Sequence, residues 1–469
     1  MKLVNLKNPV MASWLREQGC RLDAPPFLSG AIEVRKLLEQ LWVKKEPLVL
    51  LTLGERGIFH AGRIKRHWVT DSRYGVPFLS STDILQADLS SLALISKQAV
   101  EENPQLIIRR DWCLITRSGS IGRMAYARPD MDGLACSEDV LRIVPDSDRI
   151  LPGYLYAFLS SKFGVPIVVG GTYGAIIQHI EPHHIAHLPV PRLGEKVETR
   201  AHELVHKAAE ARTRASELLV ESQRLLFEEL QMPHPKPAWS YQRPLISDSP
   251  AHDFRRRGDA FYYSPINRDA RDAFDRSECK QFISLGKIAE VFIPGIFKRL
   301  YANDPAYGYP YITGADVFQL APTSGKYLLR HVAERYRLVL RKGMIVIHEA
   351  WQLGGLIGRS VQVGCYLDGF ACTNNMVRVI PNYESDAGYL FSVLSSEYGV
   401  RLIAREAAGS SIPHLEQGRV AAIEIPWPDE DMRAGIGKLA LEARALRDQA
   451  IEKENTARQL IESAIEEAV

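Results

Sequence analysis

A dense group of potential metal ligands lies near the middle of the first half of the chain. The stretch HIEPHHIAH contains His179, His183, His184 and His187. Imidazole nitrogens at such short spacing could bind zinc. A similar stretch in the second half keeps only His414, with Gln417 and Arg419 where further ligands would be needed. We therefore favour imidazoles that are exposed or face a nucleic acid over a metal site.

The sequence motifs of the common enzyme classes are absent. We find no G-x-x-x-x-G-K-[ST] phosphate loop, no G-x-G-x-x-G after a strand and no H-E-x-x-H zinc motif. A G-x-S-x-G nucleophile elbow and the Asn-Pro-Pro-aromatic motif of amino-methyltransferases are also missing. The glycines of residues 168–175 follow a helix-like segment, so we interpret them as permitting a sharp loop. We predict that the isolated chain has no enzymatic activity.

Length and composition describe a sizeable folded protein. The 469 residues fit two to four domains, and 46% hydrophobic and 24% charged residues are ordinary for a globular chain. The absence of an 18-residue apolar run and of a basic-then-apolar amino terminus argues against a membrane span or a signal peptide. Six scattered cysteines without a C-x-x-C pair predict a reducing, cytoplasmic location. A net charge of +2 gives no gross signal for nucleic acid, although a local basic face is compatible with it.

The second half of the chain repeats phrases of the first half in the same order. YLYAFLSSKFGV (residues 154–165) returns as YLFSVLSSEYGV (389–400), with seven of twelve positions identical. ACSEDVLRIVP (135–145) returns as ACTNNMVRVIP (371–381), and SIGR returns as LIGR. The offset is nearly constant and too long for a solenoid repeat. We therefore predict a duplicated domain.

Each copy ends in a Pro-x-Pro segment followed by a long heptad pattern. Ser222 and Lys453 interrupt the two apolar stripes, which are narrow and need a partner. We predict two long helices that pair as an antiparallel coiled coil; two separate surface helices are the alternative. The first stripe consists of Val197, Ala201, Leu204, Ala208, Ala211, Ala215, Leu218 and Leu225, and the second of Met432, Ile436, Leu439, Ala443, Leu446, Ala450, Ala457, Leu460 and Ala464.

A proline-rich stretch separates the two copies. Residues 231–250 contain five prolines and cannot continue a helix. The predicted order along the chain is a first domain (1–196), a first spacer helix (197–231), the Pro-rich linker (232–250), a second domain (251–428) and a second spacer helix (429–469).

Short apolar runs rich in β-branched residues predict strands within each copy. They are PLVLLTLG, CLITRS and VLRIVP in the first copy and GMIVIH and MVRVIP in the second. GYLYAFLSS predicts a helix, because Leu155 and Leu159 are four residues apart beside Tyr154. We interpret the repetition of this helix as structural, with one apolar face packing at the same place in both copies.

The order and duplication of these motifs resemble the DNA-specificity subunit of type I restriction–modification systems. The resemblance rests on WCLITRSGSIGR, on YLYAFLSS…G…GAIIQHIEPHHIAHLPVP and on the heptad helix after it, all of which return in the second copy. It implies an α+β fold with two duplicated mixed α/β target recognition domains, separated by two long helices that pair antiparallel. The second copy departs from the pattern by an insertion, IHEAWQLGGLIGR against ITRSGSIGR, and the linker is long. A related methylation-based phage-defence complex therefore stays open.

The resemblance also implies a function and a set of partners. It implies a non-catalytic subunit that reads a bipartite, asymmetric target in double-stranded DNA. It further implies docking of two adenine methyltransferase subunits, in full systems also of a restriction translocase, and no membrane contact. No cofactor is expected in this chain, whereas S-adenosylmethionine is expected in the partner methyltransferase. The alternative is a protein–protein scaffold without DNA binding in a defence complex, which the low net charge slightly favours.

Loop residues that carry hydrogen-bond donors are the candidate DNA contacts. Arg and Lys serve phosphates or guanine edges, and Gln serves adenine. Arg123 and Arg359 occupy matched places, so we assign them to the shared fold or backbone rather than to sequence reading, which we expect where the copies differ. The candidates in the first copy are Lys65, Arg66, Arg117, Ser118, Ser120, Arg123, Tyr173, Gln178 and His179, and those in the second are Lys298, Arg299, Trp351, Gln352, Arg359, Ser410, Ser411 and His414.

Overall fold

The protein divides into two units. In the computed structural model, unit 1 consists of Met1–Thr213 and Gln449–Val469, and unit 2 of Arg214–Asp448. Each unit therefore contains part of both long helices predicted from the heptads. The structure describes residues 10–17, 27, 29–170, 179–237, 240–241, 244–252, 257–350, 355–409 and 411–469.

The described part of unit 1 contains ten short strands. β1 and β10 form an antiparallel pair, and the two four-stranded sheets have the orders β2-β9-β6-β7 and β3-β5-β4-β8. The strands are β1 (Lys45–Pro47), β2 (Ile58–Phe59), β3 (Trp68–Val69), β4 (Gly75–Leu79), β5 (Ala93–Ser96), β6 (Cys113–Thr116), β7 (Met124–Tyr126), β8 (Ala135–Cys136), β9 (Val140–Ile143) and β10 (Pro189–Pro191).

The described part of unit 2 contains the same ten strands in the same order. β11 pairs with β20, and the sheets run β12-β19-β16-β17 and β13-β15-β14-β18. The predicted duplication is therefore confirmed strand by strand. The strands are β11 (Phe282–Ser284), β12 (Ala289–Phe292), β13 (Tyr301–Ala302), β14 (Gly308–Ile312), β15 (Tyr327–Leu329), β16 (Ile345–His348), β17 (Ser360–Gln362), β18 (Ala371–Cys372), β19 (Met376–Pro381) and β20 (Glu424–Pro426).

The repeated sequence phrases meet at one parallel pairing in each unit. Phe78 and Leu79 of β4 pair with Ala135 and Cys136 of β8. Between β14 and β18 the register is the same, because Tyr311 lies opposite Ala371. The other strand pairs of the two four-stranded sheets are antiparallel. The phrases recur because both units need the same residues where these strands meet.

The helices also correspond between the units, apart from a short amino-terminal helix in unit 1 and one short helix in unit 2, Leu285–Ile288, whose place in unit 1 is taken by a 3-10 helix. Those of unit 1 are α1 (Ala12–Glu17), α2 (Ala31–Gln40), α3 (Lys97–Glu102), α4 (Pro152–Leu159), α5 (Gly164–Val169) and α6 (Pro182–Ile185). Those of unit 2 are α8 (Pro265–Asp275), α9 (Leu285–Ile288), α10 (Arg330–Arg335), α11 (Ala387–Ser395), α12 (Glu397–Arg405) and α13 (Gln417–Ala421). The long helices α7 (Glu195–Glu229) and α14 (Glu430–Glu467) each contribute to both units.

The repeated phrase that contains α4 and α11 lies in the hydrophobic core of each unit. All eight residues of α4 are buried, so the helix packs on every side and not along one apolar face as the sequence suggested. A Cβ atom at Gly153 would lie 2.8 Å from a backbone oxygen of α7, and one at Gly388 would lie 2.2 Å from a backbone oxygen of α14. The Tyr154 hydroxyl donates to the carbonyl of Pro191. Glycine at both positions is therefore required by close approach to a long helix.

Four of the five predicted strands are present, and one prediction is wrong. CLITRS, VLRIVP, GMIVIH and MVRVIP contain β6, β9, β16 and β19. PLVLLTLG instead forms a 3-10 helix over Leu48–Leu51. Leu48 and Leu51 are both buried, so a single 3-10 turn brings two residues three apart to the core. A short continuous apolar run does not distinguish this from a strand.

Within unit 1, α7 and α14 pack through a buried ion pair. Arg212 donates to Glu454, and the two side chains are only 6% and 5% exposed. Earlier along α7, Leu204 shares a hydrophobic core with Ile461 of α14. Position along α14 thus rises as position along α7 falls, which is an antiparallel arrangement.

Within unit 2, the same two helices pack through a buried serine and an alanine-leucine cluster. Ser222 donates to the carbonyl oxygen of Ile436 at 3.1 Å. Ala215 and Leu218 form a small core with Ala443. The antiparallel pairing predicted from the heptads is therefore confirmed within each unit.

The heptad assignment is wrong near the carboxyl end of α14. Glu454 rather than Lys453 and Ile461 rather than Leu460 are buried. An α-helix has 3.6 residues per turn, so a strict period of 3.5 drifts by about 20° per heptad. The buried stripe therefore follows the period of 3.6 residues of the α-helix and departs from the heptad period assumed from the sequence.

None of the described helices is long and apolar enough to cross a membrane.

Candidate nucleic-acid interface

A short segment after a parallel strand forms the base of the candidate site in each unit. Segment 137–139 follows β8, and segment 373–375 follows β18. Arg142 and Arg378 stand at matched places on β9 and β19, are completely buried, and donate to carbonyl oxygens of these segments over 2.8 and 3.0 Å. Burial lowers the pKa of both guanidinium groups. Each charge is solvated by backbone carbonyls, which fixes the segment in place.

In unit 1, Arg66, a predicted DNA contact, binds to segment 137–139. Arg66 lies between β2 and β3, and its Nη2 is 3.0 Å from both carboxylate oxygens of Glu138. The same nitrogen donates to Ser137 Oγ at 3.2 Å. The guanidinium lies 5.3 Å from the centre of the Phe78 ring on β4. The charge of Arg66 is thus neutralised by the unit's own carboxylate.

Two further candidates of unit 1 form internal contacts. Arg117, at the end of β6, is buried and donates to Glu181 at the start of α6. The other oxygen of Glu181 lies 3.2 Å from His60 Nε2. Ser118 donates to Asp139 Oδ1 at 2.9 Å. These contacts join the β6–β7 loop to segment 137–139 and to the start of α6.

Backbone hydrogen bonds identify the matching positions in unit 2. The Arg117 N–H donates to Asp139 O at 2.9 Å, and the Glu349 N–H donates to Asn375 O at 3.2 Å. Glu349 therefore replaces the buried arginine, and Asn375 replaces the aspartate. The residue before it, Asn374, takes the place of the carboxylate that binds arginine in unit 1. The segment changes from Ser-Glu-Asp to Thr-Asn-Asn, which removes two negative charges.

These changes surround an open cleft of about 680 Å³ in unit 2. Arg299 is exposed and lies near Tyr311, the counterpart of Phe78; burial raises the pKa of the Tyr311 hydroxyl, and the Arg299 charge partly offsets the rise. His414 Nδ1 lies 2.8 Å from Glu349 Oε1. Side chains that line the cleft include Ile296, Phe297, Arg299, Asn374, Asn375 and His414. The structure thus brings together the candidates Arg299 and His414.

The matched Ile-Gly-Arg sequences form the same turn in both units. Gly122 and Gly358 have φ angles of 80° and 81°, which favour glycine. The Arg123 N–H donates to Thr116 Oγ1 at 3.0 Å, so it belongs to the turn's own hydrogen bonding. Both Arg123 and Arg359 are half-buried.

The remaining candidates are distributed over the same loops. Lys65, Ser120, Lys298 and Ser411 are exposed, and Ser118 and His179 are half-buried. Tyr173, Gln178, Trp351, Gln352 and Ser410 lie outside the described residues. DNA contact by any of these candidates stays a prediction.

The histidine stretch of the first copy takes part in local packing. The rings of His183 and His184 are 4.0 Å apart, and the Glu181 N–H lies 3.1 Å from His184 Nδ1. In the part of the chain that the structure describes, no three or more His, Cys, Asp and Glu side chains are grouped to hold a metal ion.

Comparisons with known proteins give structural matches only. No protein-family model and no curated protein matches the chain. Similar solved structures are type I restriction–modification S subunits. The S subunit from M. genitalium is 13% identical, with a TM-score of 0.34, over 91% of this chain and 96% of that chain. The HsdS subunit from Thermoanaerobacter tengcongensis is 16% identical, with a TM-score of 0.27, over 91% and 96%. A chain from a structure of a type I system's assembly is 14% identical, with a TM-score of 0.29, over 91% and 97%.

These matches name the same family as the resemblance in the sequence. Their TM-scores are too low to support the functional proposal below, which depends on the chain's own repeat and loops.

The site also contains residues that the motif search did not select. They are Glu138, Asp139, Glu181, Glu349, Asn374 and Asn375. A signal for four of them was present in the matched phrases ACSEDVLRIVP and ACTNNMVRVIP, which share the Ala-Cys before SED and TNN and the later Arg and Pro, but differ at all three positions of SED and TNN. All six are hydrogen-bond acceptors or amides, whereas the candidates chosen from the sequence are donors.

Proposed function

We propose that this chain is the DNA-specificity subunit of a type I restriction–modification system, or of a closely related methylation-based defence complex. Each unit reads one half of a bipartite, asymmetric duplex target. The observation that carries the proposal is that one ten-strand arrangement occurs twice with different residues on the same segments. Two units that recognise different DNA sequences on a common scaffold need the same fold with different loops.

The long helices suit the role of a ruler between two readers. α7 has 35 residues, which at about 1.5 Å each corresponds to roughly 50 Å. Half-sites read from one face of a duplex lie about 34–36 Å apart, or a multiple of that distance. The duplicated chain also provides two related units for a target of two parts.

The chemistry is supplied by partners in this proposal. The subunit docks two adenine methyltransferase subunits, which bring S-adenosylmethionine, and in full systems a restriction translocase. The complex acts in the cytoplasm. What supports a non-catalytic role is the lack of a phosphate loop, a cofactor loop and a nucleophile elbow in the sequence.

The isolated chain is expected not to methylate DNA. Purified protein, incubated with S-adenosylmethionine labelled on its methyl group and a duplex pool, should transfer no label above a no-protein control. Adding the methyltransferase subunit should produce transfer that depends on the presence of this chain. Clear turnover by the chain alone would overturn the assignment of catalysis to a partner.

Binding to duplex DNA separates the proposal from the scaffold alternative. A gel shift on a random duplex pool is run with and without the methyltransferase subunit. A specificity subunit is expected to retain selected sequences, and unrelated duplexes should compete poorly for this binding. A complex that assembles with the methyltransferase but retains no duplex would favour the scaffold.

A further inference from the structure

The two units differ in the electrostatic state of one matched arginine. In unit 1, Arg66 is 34% exposed and is held by Glu138, which is 13% exposed. In unit 2, Asn374 replaces that carboxylate, and among the described residues no acid forms an ion pair with Arg299. Arg299 is exposed and lines the open cleft. One glutamate-to-asparagine difference thus leaves the arginine of unit 2 without the ion-pair partner that its counterpart in unit 1 has.

We propose that the cleft of unit 2 binds a phosphodiester group of duplex DNA, with Arg299 as its cationic contact and Asn374 as a neutral donor beside it. This rests on the proposed function. A guanidinium presents a planar set of N–H donors that fits phosphate oxygens, and the amide adds further donors without charge. Lys298, exposed on the same loop, places a second cation next to the cleft.

The acidic residue that lines the cleft has a hydrogen-bond partner other than Arg299. Glu349 lines the cleft, but its side chain is only 11% exposed and lies 2.8 Å from His414. Its carboxylate therefore forms a hydrogen bond with the imidazole, whereas Asn374 and Asn375 line the same cleft as Arg299. The residue at the place of Glu138 is thus negative in unit 1 and neutral in unit 2.

In unit 1 the corresponding site is occupied by the protein's own carboxylate. A phosphate that approaches Arg66 must displace Glu138 from two contacts of 3.0 Å. Each phosphate that a protein cation neutralises releases counterions and adds about 0.9 to the steepness of log K against log salt. Arg299 should therefore contribute about 0.9 to this slope, and Arg66 should contribute close to nothing.

Exchanging the two residues tests the proposal. The full chain with its methyltransferase subunits is titrated with duplex DNA at several KCl concentrations. Asn374→Glu and Arg299→Ala should each reduce the salt slope by about 0.9 and weaken all duplex sequences by the same factor. Glu138→Asn should increase the slope by about 0.9, and Arg66→Ala should leave it unchanged. Arg276→Ala, at an exposed arginine directly after α8, removes the same charge away from the cleft and should also leave the slope unchanged.

Each outcome assigns success or failure to a particular claim. Unchanged slopes for Arg299→Ala and Asn374→Glu, in a complex that still binds its target, would refute the phosphate site and leave the proposed function standing. Weakening confined to certain sequences would refute it as well, because it would show a base contact. A wild-type complex that binds no duplex would refute the proposed function itself.

Discussion

Replacing Glu454 with alanine is expected to lower the free energy of unfolding by about 3–5 kcal/mol. Glu454 and Arg212 join α7 to α14 inside unit 1, where both side chains are almost inaccessible. Removing the carboxylate leaves a guanidinium buried without its counter-charge, since Arg212 cannot lose its proton near neutral pH. Urea unfolding followed by circular dichroism measures the change.

A double variant provides the matched control for this ion pair. Arg212→Met with Glu454→Leu removes both charges and keeps apolar volume, so its stability should be near the wild-type value.

The pH dependence supplies a second check. Burial alone would raise the pKa of Glu454, but the charges of Arg212 and Arg458 outweigh burial and lower it. The pair therefore contributes stability above the unfolded pKa of about 4.3 that is lost as pH falls through the lowered folded value. The double variant should lack this acid-sensitive component, and a double variant as unstable as Glu454→Ala would contradict the account.

Changes in the loops of one unit are expected to alter only one half of the DNA target. Ser120→Ala with Gln178→Ala should relax or weaken recognition at one half-site, and Trp351→Ala with Gln352→Ala at the other. A lost bidentate base contact costs about 1–3 kcal/mol of discrimination, roughly 5- to 150-fold. Sequencing of methylated sites after reaction of each reconstituted variant complex gives the base preferences at every position.

Arg117 is omitted from these variants because it is tied to Glu181, so its loss would disturb the loop itself. Arg276→Ala serves as a surface control that should alter neither half. If both pairs of substitutions shifted the same half-site, the assignment of one unit to each half would be wrong.

The repeated frame was predictable from the sequence because it depends on local, periodic features. The runs that contain β6 and β16 are buried strands, and α7 ends at Glu229, before the proline-rich stretch, as expected. Leu48–Leu51 was not predictable, because four consecutive apolar residues carry no period. Glu454 was missed for a related reason, since a small error in the assumed helical period accumulates over 38 residues of α14.

The candidate site was only partly predictable. Arg66 and Arg299 are equivalent in the sequence, where each follows a lysine in a loop. Their difference depends on residues more than 70 positions away: the fold brings Glu138 into contact with Arg66 and places Asn374 on the same cleft as Arg299. Parallel pairing of β4 with β8 creates that proximity, and non-local pairing leaves no local signature in the chain.

The recognition sequence of the wild-type complex tests the central claim most directly. The chain is reconstituted with its methyltransferase subunit, genomic DNA is methylated, and the modified adenines are located by sequencing. Two different specific half-sites separated by a fixed number of unspecified base pairs are the predicted result, because two units with unlike loops share one helix pair. A single uninterrupted palindrome, or methylation without sequence preference, would contradict the two-reader account.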